Sequence, residues 1–198
     1  VLIGLALAWK LKNASLAFIF VVVPGLLWFY SASYKRQLII GNLVVAFVSG
    51  LSVIIVAIAE IASLEIKLNT LAFNSNIKAN LYAWTIGFGL FSFLLTWIRE
   101  IIKDMEDEHG DRELECRTMP IVWGKTVTKI ITCILILLTL SLLFFINHLY
   151  IPFEGTLTLR FIIFGLALPS GMLFYLILQA KNPADFRQAS ALTKFIMF

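Results

Sequence analysis

The sequence predicts an all-α protein, a polytopic transmembrane helical bundle, and three observations carry that expectation. Of its 198 residues, 60% are hydrophobic, against roughly 45–50% in a soluble domain. Charged residues make up only 14%, where soluble domains hold about 25%. The mean hydropathy is +0.92, and the apolar residues gather into runs near the roughly 20 residues that a helix needs to cross a bilayer core. A densely packed soluble α protein is the competing reading, and this composition disfavours it. The net charge of +4 then reports loop orientation rather than a nucleic-acid partner.

The elements follow in order. Val1–Trp9 reads as an apolar half-helix without a signal-peptide cleavage pattern. Five runs qualify as spans or nearly so: Ala14–Tyr30, Gly41–Ala62, Leu81–Ile98, Ile130–Ile146 and Leu159–Gln179. Pro24-Gly25 falls inside the first, where membrane helices tolerate a kink if neighbours satisfy the freed carbonyl. Ser190–Phe198 begins a further helix. The expected organisation is one membrane domain over 1–198, truncated at both ends inside helices, with about five full spans and two partial ones.

The loops Ser31–Ile40, Arg99–Lys129 and Lys181–Lys194 hold eleven of the sixteen Lys and Arg residues. Basic residues favour the cytoplasmic side, which places these loops there; Lys10, Lys12, Lys67, Lys78 and Arg160 lie opposite, with Lys67 and Arg160 able to snorkel. The expected location is a bacterial or archaeal plasma membrane. Cys116 and Cys133 show no CxxC or zinc spacing and are not expected to pair.

Eight of the twelve acidic residues fall between Glu100 and Glu115. If Ile98–Arg112 is a helix leaving the membrane, Glu100, Asp104, Asp107, Glu108 and Asp111 share a face. Like charge at that density is unfavourable unless cations neutralise it. Carboxylates without a cysteine–histidine set suit hard cations, and magnesium takes one or two carboxylates and completes its shell with phosphate oxygens. Asp107 and Asp111, four apart, are the leading pair, and they must then face a cavity among the helices rather than bulk solvent. An EF-hand register fails, because it would start on Met105, and His109 reads as a solvated neighbour. The bland alternative is a solvated charged helix with Glu100–Lys103 and Glu108–Arg112 bridges. Against it, Arg99, Lys103, Arg112 and Arg117 interleave with the acids, which lets metal and phosphate be held together.

The stretch "REIIKDMEDEHGDRELECRTMPIVWG" resembles the second aspartate-rich motif of the UbiA superfamily of intramembrane prenyltransferases. Asp107 and Asp111 match its D-x-x-x-D pair, Asp104 lies just upstream, and Thr118-Met119-Pro120 matches its threonine-leucine-proline-like step. Glu115 stands where a glycine is common, a departure that alters the loop backbone. "FYSASYKRQLIIGNLVVA" resembles the tyrosine–lysine loop before a helix that often starts glycine-asparagine. Tyr30 to Lys35 is one residue longer than the usual spacing, so the lysine role falls on Lys35 or Arg36. The likeness extends over nearly the whole chain. No first aspartate motif occurs before Asp104; in a nine-helix member it would precede Val1, and the 198 residues alone are expected to be inactive.

The resemblance implies a prenyltransferase using a prenyl diphosphate, a membrane-embedded acceptor and Mg2+, in contact with the lipid bilayer and with no obligate protein partner. It implies metal-binding and catalytic roles for Asp104, Asp107 and Asp111, a catalytic and diphosphate-binding role for Lys35, and substrate contacts for Tyr30, Arg36, Asn42, Lys103, Arg112 and Arg117. Gly50, Gly87, Gly89, Gly165 and Gly171 either leave room for an isoprenoid tail or serve close helix packing. The acidic stretch looks most like the branch that prenylates prenylglyceryl phosphates; quinone-precursor and tetrapyrrole prenylation use similar motifs. A cation transporter would need ionisable residues within its spans, and these spans contain almost none. A non-catalytic membrane fragment is the remaining alternative.

Overall fold

A computed structural model describes residues 1–33, 37–68, 75–149 and 160–197. The described residues are helical throughout their regular structure: α1 Leu2–Lys10, α2 Ala14–Ala32, α3 Ile40–Leu68, α4 Ser75–Glu106, α5 Glu108–Glu113, α6 Met119–Leu149, a π-helical stretch Phe161–Ala167, α7 Leu168–Gln179 and α8 Pro183–Met197. Five of these stretches are long and apolar enough to cross a membrane, namely Ala14–Ala32, Ile40–Lys67, Ile77–Glu106, Met119–Ile146 and Phe161–Gln179. They coincide with the five expected spans, and the protein is an integral membrane protein.

The helices overrun the apolar runs because their flanks still carry helical periodicity. In α4 the stretch "IREIIKDME" places Ile98, Ile101, Ile102 and Met105 at i, i+3, i+4 and i+7, and all four are fully buried. Asn13 caps α2, its Oδ1 accepting the Leu16 N–H at 3.2 Å. That helix runs on through Pro24 as one element. A separate interruption falls inside α6, where Gly124 adopts φ 80 and ψ 156, a region essentially reserved for glycine. The π-helical stretch ends two residues before Pro169. Proline lacks the N–H that Gly165 would need and its ring crowds that carbonyl, so a wider turn there relieves the clash.

The chain divides into two compact units, residues 1–35 with 44–93, and residues 36–43 with 94–198. In the first, α1 packs on α2 with Gly4 beneath the Phe20 ring. α3 and α4 approach so closely that a Cβ on Gly50 would lie 2.8 Å from the Gly89 carbonyl oxygen. Ser49 and Ser92 share a hydroxyl hydrogen bond of 3.0 Å beside that contact. Gly50 and Gly89 therefore serve close packing, whereas nothing lies within 4 Å of a Cβ on Gly87 or Gly171. Lys78 pairs with Glu65.

The second unit holds the main core, built by Ile98, Ile101, Ile102 and Met105 with Met119 and Ile136 of α6, Leu173 and Ile177 of α7, and Phe186 of α8. Thr128 and Thr132 donate to the carbonyls one turn back, at 2.9 and 2.8 Å, which satisfies their hydroxyls in an apolar setting. Lys129 donates to the Ala180 carbonyl and, at 3.4 Å, to that of Leu178, and its ammonium lies 5.7 Å from the Phe186 ring centroid. It caps the C-terminal end of α7, where a cation is favoured. Cys116 and Cys133 are both free.

Candidate functional site

The last turns of α4 carry the acidic stretch to the edge of the second unit's core. Because Ile101, Ile102 and Met105 are buried, the intervening Asp104 is drawn partly inward. Its Oδ2 accepts a 2.7 Å hydrogen bond from the Asn42 Nδ2, sixty-two residues away. Glu100, Asp107 and Asp111 all act on it with like charge. Asn42, expected to contact substrate, is thus placed as the group that orients Asp104.

The helix does not continue unbroken to Arg112. Asp107 adopts φ −91 and ψ 6 and separates α4 from the six-residue α5. After α5 the chain reverses through a Schellman arrangement: the Glu115 N–H donates to the Arg112 carbonyl at 3.3 Å and the Cys116 N–H to that of Asp111 at 2.9 Å. This turn requires a left-handed residue, and Glu115 supplies it with φ 56. The departure from glycine noted in the sequence sits where glycine's freedom is of use. Asp107 and Asp111 border a surface groove of about 380 Å³, lined by Glu106, Asp107, His109, Gly110, Asp111 and Leu114. Every lining residue comes from one local segment, and Asp107 is exposed. The expectation that both aspartates face a cavity between helices therefore does not hold for Asp107, which is exposed at the break between α4 and α5; Asp104 instead meets Asn42 of α3.

Glu108 also leaves the shared face. Its Oε2 takes the Lys125 ammonium at 2.7 Å and its Oε1 the Arg112 guanidinium at 2.8 Å. Burial pushes its pKa up, but the hydrogen bonds from Lys125 and Arg112 outweigh that and hold the carboxyl below its usual range. The expected Glu108–Arg112 bridge is present, while Glu100 pairs with Arg99 at 2.6 Å instead of Lys103. Arg187 reaches Glu106 at 2.9 Å, tying α8 to the end of α4. Arg112 is thereby committed to Glu108, and Lys103 is exposed. His109 is 93% exposed with Glu113 3.6 Å away. Arg117, itself exposed, lines a second open groove of about 340 Å³ with Gln37, Leu38, Ile40 and Val122. Tyr30 belongs to the first unit. Lys35 and Arg36 lie outside the described residues.

The sequence offered no sign that Lys125 would neutralise Glu108 or that Gln37 and Arg117 would line one groove. Those residues are separated in the chain and only the fold brings them together.

Among the described residues, no group of three or more His, Cys, Asp or Glu is close enough to enclose a metal ion. The donors near Asp104 are nonetheless all hard carboxylate oxygens, and their mutual repulsion would be relieved by a cation. That set fits magnesium, which needs only one or two carboxylates when phosphate oxygens complete its shell.

The family model described as "UbiA prenyltransferase family" matches residues 1–198. Curated relatives named digeranylgeranylglyceryl phosphate synthase include one from Methanosphaera stadtmanae, 35% identical over 54% of this chain and 35% of its own length. One from Methanothermobacter thermautotrophicus is 29% identical over 64% and 41%. One from Thermococcus sibiricus is 38% identical over 54% and 32%. The chain thus spans less than half the length of these relatives. No solved structure matches.

Proposed function

The chain belongs to the UbiA prenyltransferase family, and from that premise we propose that its protein transfers a prenyl group from a prenyl diphosphate to a prenylglyceryl phosphate, a step of ether-lipid synthesis. The names of the curated relatives support that acceptor. The observation that carries the chemistry is Asp104: a half-buried carboxylate oriented by Asn42 and surrounded by Glu100, Asp107 and Asp111. Such an accumulation of negative charge at the edge of an apolar core favours a bound cation.

In this reading Asp104, Asp107 and Asp111 would share Mg2+ with the diphosphate, whose oxygens complete a shell that the three carboxylates do not close by themselves. When bound, the ion supplies Lewis-acid stabilisation of the departing diphosphate. Asn42 keeps the Asp104 carboxylate turned toward the site. Glu108 occupies Arg112 and Lys125, which keeps α5 docked on α6 and leaves the aspartates without those competing cations. Lys35 and Arg36 grip the diphosphate by charge-assisted hydrogen bonds. The buried face of Ile98, Ile101, Ile102 and Met105 excludes water from beneath the carboxylates, protecting an allylic cation from quenching. The loop-charge asymmetry assigns this end to the cytoplasmic side.

The test is magnesium-dependent turnover by the full-length protein with labelled geranylgeranyl diphosphate and each candidate acceptor. Asp107→Asn and Asp111→Asn should each lower the rate by orders of magnitude with membrane insertion intact. Unchanged rates would move the chemistry elsewhere, and turnover with an aromatic acceptor alone would replace the glyceryl phosphate.

A further inference from the structure

We propose that the open groove beside Arg117 seats the phosphate monoester of the glyceryl phosphate acceptor, apart from the acidic groove. The assignment rests on the acceptor class proposed above and deepens it to a subsite.

The first argument is which cations are free. Around the acidic stretch, Arg99 is taken by Glu100, Arg112 and Lys125 by Glu108, and Arg187 by Glu106; Lys103 is exposed, with no ion pair among the described residues, but lines neither groove. Lys129 is taken by backbone carbonyls. Arg117, itself exposed, has no ion-pair or hydrogen-bond partner among the described residues, and it lines an open surface groove of about 340 Å³. That volume lies within the roughly 300–1,000 Å³ of small-molecule sites.

The second argument is what the lining selects. A guanidinium presents a planar fork that matches two phosphate oxygens. The Gln37 amide both donates and accepts, and can meet a phosphate oxygen or a glycerol oxygen. Leu38, Ile40 and Val122 complete the wall with apolar surface, which suits the ether-linked start of an isoprenoid chain. None of the described lining residues is a carboxylate. A metal-bridged diphosphate needs carboxylates to hold its cations, so the described lining suits a metal-free monoester.

Two local features are consistent with an occupant. Thr118, next to Arg117, is 8% exposed, and its hydroxyl has no partner among the described residues; buried hydroxyls are ordinarily satisfied. Ile39, between two lining residues, is the centre of a γ-turn with φ 65, the Ile40 N–H donating to the Leu38 carbonyl at 2.7 Å. A β-branched residue rarely adopts that conformation, and such strain collects at ligand sites.

The experiment is equilibrium binding to the full-length protein in nanodiscs of neutral lipid. The probes are labelled geranylgeranylglyceryl phosphate, the same molecule without phosphate, and geranylgeranyl diphosphate, with phosphatidic acid as competitor. Arg117→Gln should weaken glyceryl phosphate binding by about 10–100-fold, the loss of a charge-assisted contact, while the phosphate-free analogue and the diphosphate bind as before. Val122→Trp, which fills the apolar wall, should exclude the glyceryl phosphate and spare the diphosphate. Undiminished glyceryl phosphate binding in both variants, or equal losses for the diphosphate, would overturn the subsite alone. Displacement by phosphatidic acid at equal concentration would make it a general phospholipid site and refute the assignment. Binding of the diphosphate with no binding of glyceryl phosphate to the unmodified protein would remove the acceptor reading itself, and the subsite with it.

Discussion

Replacing Glu115 with glycine should stabilise the protein. Glu115 closes the Schellman turn after α5 with φ 56. A side chain in the left-handed region costs roughly 1–2 kcal/mol. Glycine removes that strain but gives back about 0.5–1 kcal/mol through its greater freedom in the unfolded chain. The net expectation is a gain of about 0.5–1 kcal/mol, which corresponds to roughly 1–4 °C in melting temperature for a chain of this size. Both hydrogen bonds of the turn, to the Arg112 and Asp111 carbonyls, remain available to glycine. The assay is circular-dichroism melting in detergent of the wild type, Glu115→Gly and Glu115→Ala. Alanine keeps the strain and removes the carboxylate, so the glycine–alanine difference isolates the backbone. If the glycine variant melts at or below the alanine variant, the left-handed turn is not what limits this loop.

Three other outcomes are expected. Lys129→Met removes the cap on the carbonyls of Ala180 and Leu178 and should cost roughly 1.5–3 kcal/mol, as lost charge-assisted bonds do; a wild-type melting curve would show the cap to be inert. Gly50→Val must force α3 from α4, since even its Cβ would sit 2.8 Å from the Gly89 carbonyl oxygen and 3.2 Å from the Phe93 Cβ. Overpacking of this kind costs about 1–3 kcal/mol, whereas Gly87→Ala, with open space around it, should be tolerated; equal effects would refute the contact. Asp185 accepts the N–H groups of Lys181 and Asn182, and those two bonds hold its carboxyl below the usual carboxylate range. Its stabilisation is therefore complete above the unfolded value of about 3.9 and fades as pH falls through the lower folded value. The stability gap between the wild type and Asp185→Ala should be flat near neutrality and close on acidification, and a gap that persists in acid would contradict this origin.

Much of the molecule was legible in one dimension. A span is a run of apolar residues long enough to cross lipid, and length and hydropathy are properties of consecutive residues. The five spans could therefore be read with errors only at their ends, where "SLEIKL" and "REIIKDME" are polar in composition but helical in period. The acidic stretch was equally visible, since eight of twelve carboxylates in one segment is a matter of counting. The family motif around Asp107, Asp111 and Thr118-Met119-Pro120 is likewise a matter of spacing along the chain.

What spacing could not decide is which charges meet. On an ideal helix Glu108 belongs with Asp104 and Asp111. The Arg112 bridge was open to spacing, but the approach of Lys125 to the same carboxylate was not. Asn42 looked like one more polar residue near a substrate, and only the fold brings its amide 2.7 Å from Asp104. Arg117 acquired its meaning because Arg99, Arg112, Lys125 and Arg187 were already occupied. Hydrophobic length and helical period are additive along a sequence, so residues alone determined the class, the spans and the acidic segment. Ion pairing is a competition among groups distant in the chain, and only the tertiary structure decided its winners.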